Sequence, residues 1–416
     1  MEFTDVMERS NSSSTKPLLA RQPIFDEKLC VAAYELLFRN SEQNTALPSN
    51  EDEATSQVLL SAFSENDISQ LTGMVPGFVN FTKNLLLSDI PFDRKQLVIE
   101  VLEDITDSEE IVNALSQLKQ EGYTIALDDF IYSADKSELI KLCDIIKVDL
   151  RAYEDRKAFL LDVKRIQRTK KRMLAEKVET HEEFELCKKL GFELFQGYFF
   201  AKPQLVKGKQ LSYNKEVVLA LISKLQDENV SIDGLEEILV RDPELTYKLL
   251  KLVNSAAYAR GRKLKSVKQA LTWLGFKKIK SWVILLSLSQ LDDKPVELTN
   301  TALIRAKTCE LLGHHLQDDN PENYFTTGML SCLPAFMDMT MPQLLEKIPL
   351  ITEIQEALLY YKGYQGFILA TVMAHEYGWW EKINWKTLQK MNIKEQHLSD
   401  FYRKAVSWSN DFLNEH

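Results

Sequence analysis

Polar side chains end two consecutive apolar runs in the middle of this chain. Asp128 and Asp129 follow the first run, and Lys147 and Asp149 lie at the end of the second. The segment between the runs has apolar residues spaced for one helix face and no proline, so the stretch is predicted to form a strand, a helix and a strand. Functional groups of parallel α/β folds lie where strands end at their carboxyl side. A solvated turn would explain one such acid, whereas four polar groups on successive strand ends favour a functional site.

The same pattern recurs along the first half of the chain. Eight strands are predicted, mostly separated by helices, which is typical of an α/β fold of the (β/α)8 TIM-barrel type. The first two strands, residues 18–24 and 31–37, have too few residues between them for a crossover helix and are predicted to pair antiparallel. The polar residues at the predicted strand ends are Glu35, Asn80, Glu100, Glu103, Asp128, Asp129, Lys147, Asp149, Glu176, Glu179 and Gln196.

Oxygen atoms dominate this set of side chains, which contains no histidine and no cysteine. Such ligands favour Mg²⁺ or Mn²⁺ over zinc. The carboxylates would repel one another at one barrel mouth unless cations neutralise them. Two hard cations suit phosphodiester hydrolysis, because they activate water and stabilise the departing oxygen. Lys147 is suited to orient the nucleophile or to offset charge, and one of the glutamates is suited to act as a general base.

Hydrophobic periodicity predicts the remaining elements. Further strands are predicted over residues 77–81, 96–102, 172–178 and 193–200, and helices over residues 51–65, 133–144, 156–170 and 182–190. Beyond residue 215 only helical segments are predicted, over residues 216–225, 234–240, 243–254, 267–274, 277–291 and 301–316, with several more towards the C-terminus. We therefore expect a flexible tail over residues 1–16, a barrel over residues 17–205 and an all-helical domain over residues 206–416.

Composition limits the partners of the protein. The formal net charge is -10 over 416 residues, which makes general nucleic-acid binding an unfavoured interpretation. No apolar run reaches membrane-spanning length, so no membrane association is expected. The five cysteines have no metal-binding spacing and fit reduced thiols. We expect a cytoplasmic globular protein with more than one domain.

Short motifs occur in a fixed order through the first half of the chain. They occupy residues 22–26, 34–39, 79–80, 100–103, 127–130, 147–149, 175–180 and 195–203. In this order they resemble the EAL family, the barrel phosphodiesterases of the bacterial second messenger cyclic di-GMP. The Glu-Ala-Leu signature of that family is similar to Glu35-Leu36-Leu37, in which Leu36 replaces the alanine. The resemblance covers residues 18 to about 204.

The resemblance implies a role for each residue of the strand-end set. It implies that Glu176 is the general base and that Lys147 orders the attacking water. A substrate phosphate would contact Arg39, whose guanidinium fork suits it, and Gln196 would line the pocket. Glu103 would brace the loop that follows Asp129. The implied metal ligands, with Glu179 in support, are Glu35, Asn80, Glu100, Asp128, Asp129 and Asp149.

The loop after Asp129 departs from the family pattern. The family continues with Gly-Thr-Gly-Tyr-Ser-Ser-Leu after the aspartates and a phenylalanine, whereas residues 131–136 are Ile-Tyr-Ser-Ala-Asp-Lys. The glycines that let this loop fold back over the metals are absent. Because the position of a ligand matters as much as its identity, three alternatives stay open: the barrel hydrolyses cyclic di-GMP, binds it without cutting it, or is empty.

The helical half carries a second set of motifs. Asp242 before Pro243 is typical of a helix N-cap followed by proline at the first helical position. Together with residues 249–258, 266–275 and 327–334, this motif resembles the HDOD family of helical modules, which is related to metal phosphohydrolases but lacks their ligands. By that resemblance, Ser331 and Cys332 stand where a His and an Asp would coordinate metal. The resemblance therefore implies a non-catalytic interaction or regulatory module.

The histidines of the helical half are interpreted as structural. His314 and His315 form a pair on a predicted helix without acidic partners. His375 and Glu376 lie beside Trp379 and a second tryptophan, and packing is again the favoured interpretation.

The two resemblances together imply a cyclic di-GMP signalling protein whose helical module binds a protein partner. Its barrel is either a slow metal-dependent phosphodiesterase that produces the linear dinucleotide or a non-catalytic sensor or scaffold. A homodimer is expected by analogy, because EAL barrels often pair.

Overall fold

The computed structural model describes residues 18–39, 68–88, 90, 92–131, 136–204, 212–227, 230–254, 264 and 266–414. The predicted N-terminal tail, the helix predicted over residues 51–65 and most of the predicted domain boundary lie outside these residues. Most of the loop that differs from the EAL pattern, namely residues 132–135, also lies outside the described residues.

Eight strands form a closed barrel in chain order. The first strand is antiparallel to both of its neighbours, the second and the eighth, and all other neighbouring strands are parallel. The predicted barrel with an antiparallel first strand is confirmed, because the short connection after the first strand permits only a hairpin. The strands are β1 (Leu18–Asp26), β2 (Val31–Arg39), β3 (Gly77–Phe81), β4 (Leu97–Val101), β5 (Thr124–Leu127), β6 (Ile145–Asp149), β7 (Arg172–Glu176) and β8 (Leu194–Gln196).

Six helices lie among the described barrel residues: α1 (Ile68–Thr72), α2 (Lys83–Leu86), α3 (Glu109–Glu121), α4 (Ser137–Leu142), α5 (Arg156–Thr169) and α6 (His181–Lys189). The strand predicted over residues 193–200 is shorter than expected. It ends at Gln196 because Gly197, with a φ of +148°, turns the chain against the backbone of Val178. A short 3-10 helix, Phe199–Ala201, follows.

The helix after β7 begins with a capping box that fixes the chain beyond the strand end. The Thr180 side chain accepts a hydrogen bond from the backbone N–H of Glu183. In return, the Glu183 carboxylate accepts from the backbone N–H groups of Glu179 and Thr180. This reciprocal pairing satisfies the first free N–H groups of α6. The segment from Glu176 to Glu179 is thereby held between a strand and a capped helix.

Side chains alternate between the inside and the outside of the barrel with a period of two. One buried apolar layer fills the interior, and each strand contributes one residue: Ile24, Ala33, Phe78, Val98, Ala126, Ile145, Leu174 and Leu194. Two residues further towards the mouth, every strand or its extension carries a polar side chain: Gln22, Glu35, Asn80, Glu100, Asp128, Lys147, Glu176 and Gln196. The apolar layer is therefore the floor of a polar site.

Every element described after residue 212 is helical, as predicted. These helices are α7 (Tyr213–Gln226), α8 (Ile232–Arg241), α9 (Pro243–Val253), α10 (Val267–Leu274), α11 (Phe276–Leu288), α12 (Val296–His315), α13 (Pro321–Leu330), α14 (Leu333–Met337), α15 (Met341–Leu345), α16 (Thr352–Tyr360), α17 (Gly363–Glu376), α18 (Trp385–Lys390) and α19 (Glu395–Asn414). In the parts of the chain that the structure describes, no helix has the length and apolar character needed to cross a membrane.

The helical region packs on the outer face of β1 and β2. The Tyr34 hydroxyl donates to Glu297 Oε2 at 2.7 Å, and the backbone N–H of Leu19 donates to Ser399 Oγ at 3.2 Å. The Arg21 guanidinium lies over the Tyr34 ring, 4.3 Å from its centroid. Because Tyr34 and Glu35 are consecutive in one strand, their side chains take opposite faces. One strand thus contacts the helical region with one face and the barrel interior with the other.

Gly197 provides a test of how tightly the barrel closes around its mouth. A Cβ at this position would lie 2.0 Å from the carbonyl oxygen of Val178. We expect Gly197→Ala to lower the free energy of unfolding by about 3 kcal/mol, from the backbone conformation and the overlap together. Urea unfolding followed by circular dichroism measures this. Gly73→Ala is the matched control, because Gly73 also has a positive φ but an open surrounding, and about 1 kcal/mol is expected there. Equal losses in the two variants would contradict the close approach.

Candidate active site

A buried lysine lies at the centre of the polar layer. Lys147 Nζ is 2.6 Å from Glu100 Oε1, 2.6 Å from Asp128 Oδ1 and 2.9 Å from Glu176 Oε1. A fourth carboxylate, Glu35, is 3.8 Å away. The Lys147 side chain is 1% exposed, so these ion pairs have little contact with water. Four predicted site residues are thus brought together around a fifth.

Strand register and the hydrogen bonds beyond the strand ends position these groups. Asn80 lies beside Glu100 in the β3–β4 pair, and Asp149 lies beside Glu176 in the β6–β7 pair. The backbone N–H of Asp128 donates to the carbonyl oxygen of the last residue of β4 at 2.9 Å. The parallel hydrogen-bonding pattern therefore continues past β5 into the mouth. Asp128, just after its strand, is consequently positioned by a backbone hydrogen bond of the kind that forms the sheet.

Burial and charge together shift the pKa values of this cluster. Burial alone would lower the pKa of Lys147, but the surrounding carboxylates, Glu100 foremost, raise it well above its usual range. Burial raises the pKa of Glu100 well above its usual range, although Lys147 opposes this rise. Burial likewise raises the pKa of Glu176 to about 8. The carboxylates thus favour the charged form of Lys147, whereas burial favours the protonated forms of Glu100 and Glu176.

The cluster has the donor set of a site for a hard cation. Carboxylate oxygens of Asp128, Asp129 and Glu176 lie within 4.8 Å of one another, the one such metal-binding group among the described residues. Asp129 adopts a φ of +38°, an uncommon backbone conformation for a residue other than glycine. Buried acceptors without a hydrogen-bond partner are costly, and a divalent cation would satisfy them. Such acceptors around the group are Asn80 Oδ1, Glu100 Oε2, Glu176 Oε2 and Gln196 Oε1.

Three further predicted site residues, Gln196, Asp149 and Glu179, lie near this cluster at different depths. Gln196 donates to Glu35 Oε2 and also to the Gln22 side chain. Asp149 is buried, pairs with Lys177 and accepts from a backbone N–H. Glu179 is exposed and lies 3.2 Å from the Lys202 ammonium. The structure therefore places Gln196 inside the site and Glu179 at its solvent edge.

Two predicted residues lie away from the cluster. Arg39 faces Glu395 of α19. Burial raises the pKa of the Glu395 carboxyl, and the positive charge of Arg39 partly offsets that rise. Glu103 is exposed, and its backbone carbonyl, not its carboxylate, accepts a hydrogen bond from Lys136 at 2.6 Å. Lys136 is the last residue of the loop that differs from the EAL pattern, so Glu103 contacts that loop through its backbone.

A cavity of about 370 Å³ opens above the acidic cluster. This volume is near the lower end of the range for ligand pockets. Besides Glu35, Asp128, Asp129, Glu176, Glu179 and Gln196, its lining includes residues that the sequence did not indicate as site residues: Gln22, Leu37, Lys177, Val178, Gly197, Tyr198, Tyr377 and Trp379. The last two belong to the helical region. Gln22 lies in a recognised motif, whereas nothing in the sequence connects Tyr377 or Trp379 with the barrel.

A buried arginine, Arg305, lies in the interior of the helical region. The Arg305 guanidinium donates to Glu376 Oε2 at 2.7 and 2.9 Å. It also donates to Ser331 Oγ at 2.9 Å and to Cys332 Sγ at 3.3 Å. A permanent cation thus lies against Ser331 and Cys332. Glu376 is the anionic partner of Arg305, so its carboxylate belongs to the packed interior.

The described histidines of the helical region lie in separate packing contacts, apart from His315 and His397, whose ring centroids are 4.5 Å from each other. His375 is fully buried against the rings of Trp380 and Tyr402, and neither of its ring nitrogens has a hydrogen-bond partner. His315 pairs with the carbonyl oxygen of Asn392 at 2.9 Å, and His314 is exposed. None of them joins a metal-binding group among the residues that the structure describes.

A closed barrel with an acidic mouth, followed by an all-helical region, defines a two-domain protein with an α/β-barrel site. Residues 22–203 match the model of the EAL domain, and residues 211–358 match that of the HDOD domain. The protein YuxH of Bacillus subtilis is 34% identical over 95% of this chain and 98% of its own length. The chain therefore belongs to the family of proteins that join an EAL domain to an HDOD domain.

A second relative and a solved structure are also similar to this chain. The protein named cyclic di-GMP phosphodiesterase CdgJ, from Vibrio cholerae, is 32% identical over 94% of this chain and 92% of its own length. The Klebsiella pneumoniae protein BlrP1 in a manganese and cyclic di-GMP complex is 22% identical, with a TM-score of 0.38, over 45% of this chain and 56% of that chain.

The buried histidine leads to a prediction about acid stability. Burial lowers the pKa of His375 to about 3, whereas an unfolded histidine titrates near 6.5. Below about pH 6.5 the unfolded chain therefore binds one more proton, and stability falls by about 1.4 kcal/mol per pH unit. We expect His375→Phe to remove this part of the pH dependence in urea unfolding between about pH 6.5 and about pH 5. His314→Phe, at an exposed position, should leave it unchanged. An unaltered slope in His375→Phe would contradict the buried neutral state.

Proposed function

We propose that this chain is a cyclic di-GMP signalling protein whose barrel hydrolyses the nucleotide to the linear dinucleotide with Mg²⁺ or Mn²⁺. The observation that carries this proposal is the convergence of Asp128, Asp129 and Glu176 beside the buried Lys147. The EAL family membership of residues 22–203 and the name of the relative CdgJ support the choice of nucleotide.

The acidic residues of the mouth fit a two-metal site. Cations held there would polarise a phosphoryl oxygen and lower the pKa of a water molecule. We propose that the ligands, with support from Glu179, are Glu35, Asn80, Glu100, Asp128, Asp129 and Asp149. The unpartnered Asn80 Oδ1 and Glu100 Oε2 support this assignment, because each is a buried acceptor that lacks a donor.

Glu176 has the geometry of a general base. Its Oε1 is held by the Lys147 ammonium at 2.9 Å, whereas Oε2 is buried and has no hydrogen-bond partner. Oε2 is therefore available to accept a proton from an attacking water. Burial raises the pKa of Glu176 to about 8, so the deprotonated carboxylate that a base requires becomes the main form above about that pH. Lys147 keeps the carboxylate oriented and compensates for the charge of its neighbours.

The substrate-contacting residues follow from the same cavity. Gln196 and Gln22 are linked by a hydrogen bond of 3.0 Å and present amide groups beside Glu35. These side chains would orient the dinucleotide. A contact between Arg39 and a substrate phosphate stays a prediction, because Arg39 faces Glu395 in this structure.

The helical region would serve as a regulatory module that contacts both the barrel and a protein partner. The Arg305 guanidinium, paired with Glu376, occupies the interior of that module next to Ser331 and Cys332. This buried positive charge supports a role without metal chemistry. A homodimer through the barrel belongs to the same proposal. The second candidate function is a sensor that binds cyclic di-GMP without cutting it, which the departing sequence of residues 131–136 favours.

A direct assay separates the two candidates. The purified chain would be incubated with cyclic di-GMP and Mg²⁺ or Mn²⁺, and the linear product followed by chromatography. Product that disappears when a chelator is added supports the phosphodiesterase. Binding of the nucleotide without product supports the sensor. Neither binding nor product would refute both and leave an empty barrel.

The role of Glu176 gives a prediction of its own. We expect Glu176→Ala to lower turnover about 100-fold or more, the usual contribution of a general base. The fold should persist, because the removed carboxyl is buried and unfavourable in its charged form. Glu193→Ala is the matched control, since Glu193 is an exposed carboxylate at the opposite end of β8, paired with Arg172. Turnover that persists in Glu176→Ala would reject Glu176 as the base.

A further inference from the structure

The C-terminal segment of the chain lies beyond the residues that either family model matches and packs on the barrel. The HDOD match ends at residue 358, whereas α17 and α19 follow it and both contact β1. The EAL match ends at residue 203. Contacts between this segment and the barrel mouth are therefore a property of the combined chain, not of the EAL or the HDOD unit alone.

A tight turn after α17 enters the barrel mouth. Gly378, with a φ of +65°, lets the chain reverse, and the backbone N–H of Trp379 donates to the carbonyl oxygen of Ala374 at 2.9 Å. The turn is fixed to the barrel, because Gln22 Nε2 donates to the carbonyl oxygen of Tyr377 at 3.1 Å. A Cβ on Gly378 would lie 2.8 Å from Leu37 Cδ1, so the fit leaves little room.

Three aromatic side chains line the cavity, and two of them come from this turn. The rings of Tyr198 and Tyr377 are in contact, with centroids 3.7 Å apart and planes tilted by 47°. Trp379 packs edge-on against Tyr377 at 4.7 Å and remains 40% exposed. Lys382 Nζ lies 3.6 Å from the Trp379 ring centroid, which steadies the indole and places a positive charge at the rim. Among the described lining residues, Trp379 therefore offers the largest accessible aromatic surface.

The chemistry of the cavity assigns a task to this surface. Its floor consists of carboxylates and amides, which suit cations and phosphate groups, and it has no apolar plane for a nucleobase. Stacking on an aromatic side chain is the usual way in which proteins hold an unpaired base, because every base has a π face. An exposed indole beside an acidic metal site has the shape and polarity for that role.

We propose that Trp379 binds a purine base of the cyclic dinucleotide by stacking, so that the helical region completes the substrate site of the barrel. This inference rests on the proposed function. Anything that displaces the end of α17, including a partner bound to the helical region, would then change the affinity for the nucleotide. Trp379 acts on binding and does not touch the reacting phosphate.

Binding of cyclic di-GMP is measured with the full-length chain in a Glu176→Ala background with Mg²⁺, where turnover is suppressed, by titration calorimetry. We expect Trp379→Ala to weaken binding about tenfold, as for the loss of one base-stacking contact. Trp379→Phe, which keeps an aromatic face, should bind within about threefold of the parent, which is less than the loss of a full stacking contact. Trp273→Ala is the matched control, because Trp273 is similarly exposed at 39% in the same region but lies away from the cavity.

Two further readouts separate stacking from a structural role. In the parent, cyclic di-GMP should quench tryptophan fluorescence, and Trp379→Phe should lose that quenching while it retains binding. In the wild-type background, Trp379→Ala should raise KM about tenfold with little change in kcat, as for lost ground-state binding. Circular dichroism confirms that each variant is folded.

The outcomes that overturn the inference are distinct from failure of the proposed function. If the wild-type chain neither binds nor cleaves cyclic di-GMP, both fall together. If the parent binds and Trp379→Ala binds equally well or more tightly, only the stacking role falls, and tighter binding would identify the turn as an obstruction. Equal losses in Trp379→Phe and Trp379→Ala would also refute stacking.

Discussion

One buried ammonium makes the acidic mouth of the barrel possible. Lys147 Nζ lies 2.6 to 2.9 Å from carboxylates that belong to three other strands or their extensions, and a fourth is 3.8 Å away. Without this charge, acids that burial already drives towards protonation would face one another in a low-dielectric interior. A buried ion pair is rarely a source of stability, so we attribute to Lys147 the placement of the surrounding carboxylates. The proposed metal site depends on Lys147, and the proposed base role of Glu176 depends on it as well.

The alternation of side chains along each strand connects the site with the interface between the two domains. Gln22 and Glu35 point into the barrel, whereas the adjacent Arg21 and Tyr34 face the helical region. A one-residue shift in register would turn the inward-facing side chains outward and the outward-facing ones inward. The same strand register therefore determines both the site and the interface. The barrel thus presents one face of β1 and β2 to its interior cavity and the other to the helical region.

The helical region reaches the cavity through a short chain of contacts. Arg305 holds Glu376 at the end of α17, and the next three residues form the turn that carries Trp379 into the mouth. The cation beside Ser331 and Cys332 thus anchors the last turn of the helix that borders the cavity. A change in the packing of α12 around Arg305 would therefore act on the barrel mouth directly. This arrangement gives the helical region a physical route to influence the cavity.

Local pattern was sufficient for the barrel, its antiparallel first strand, the helical second half and the acids at the strand ends. Each of these follows from hydrophobic periodicity or from connection length, which are short-range properties. The proximity of Lys147 to its carboxylates also followed in outline, because neighbouring strands of a barrel end at the same mouth. Tyr377 and Trp379 had no such signal. Gln22 contacts Tyr377 across 355 positions of sequence, and Arg305 contacts Glu376 across 71. Only the folded chain decides such contacts, because packing between distant elements, not the order of residues within any one of them, brings these groups together.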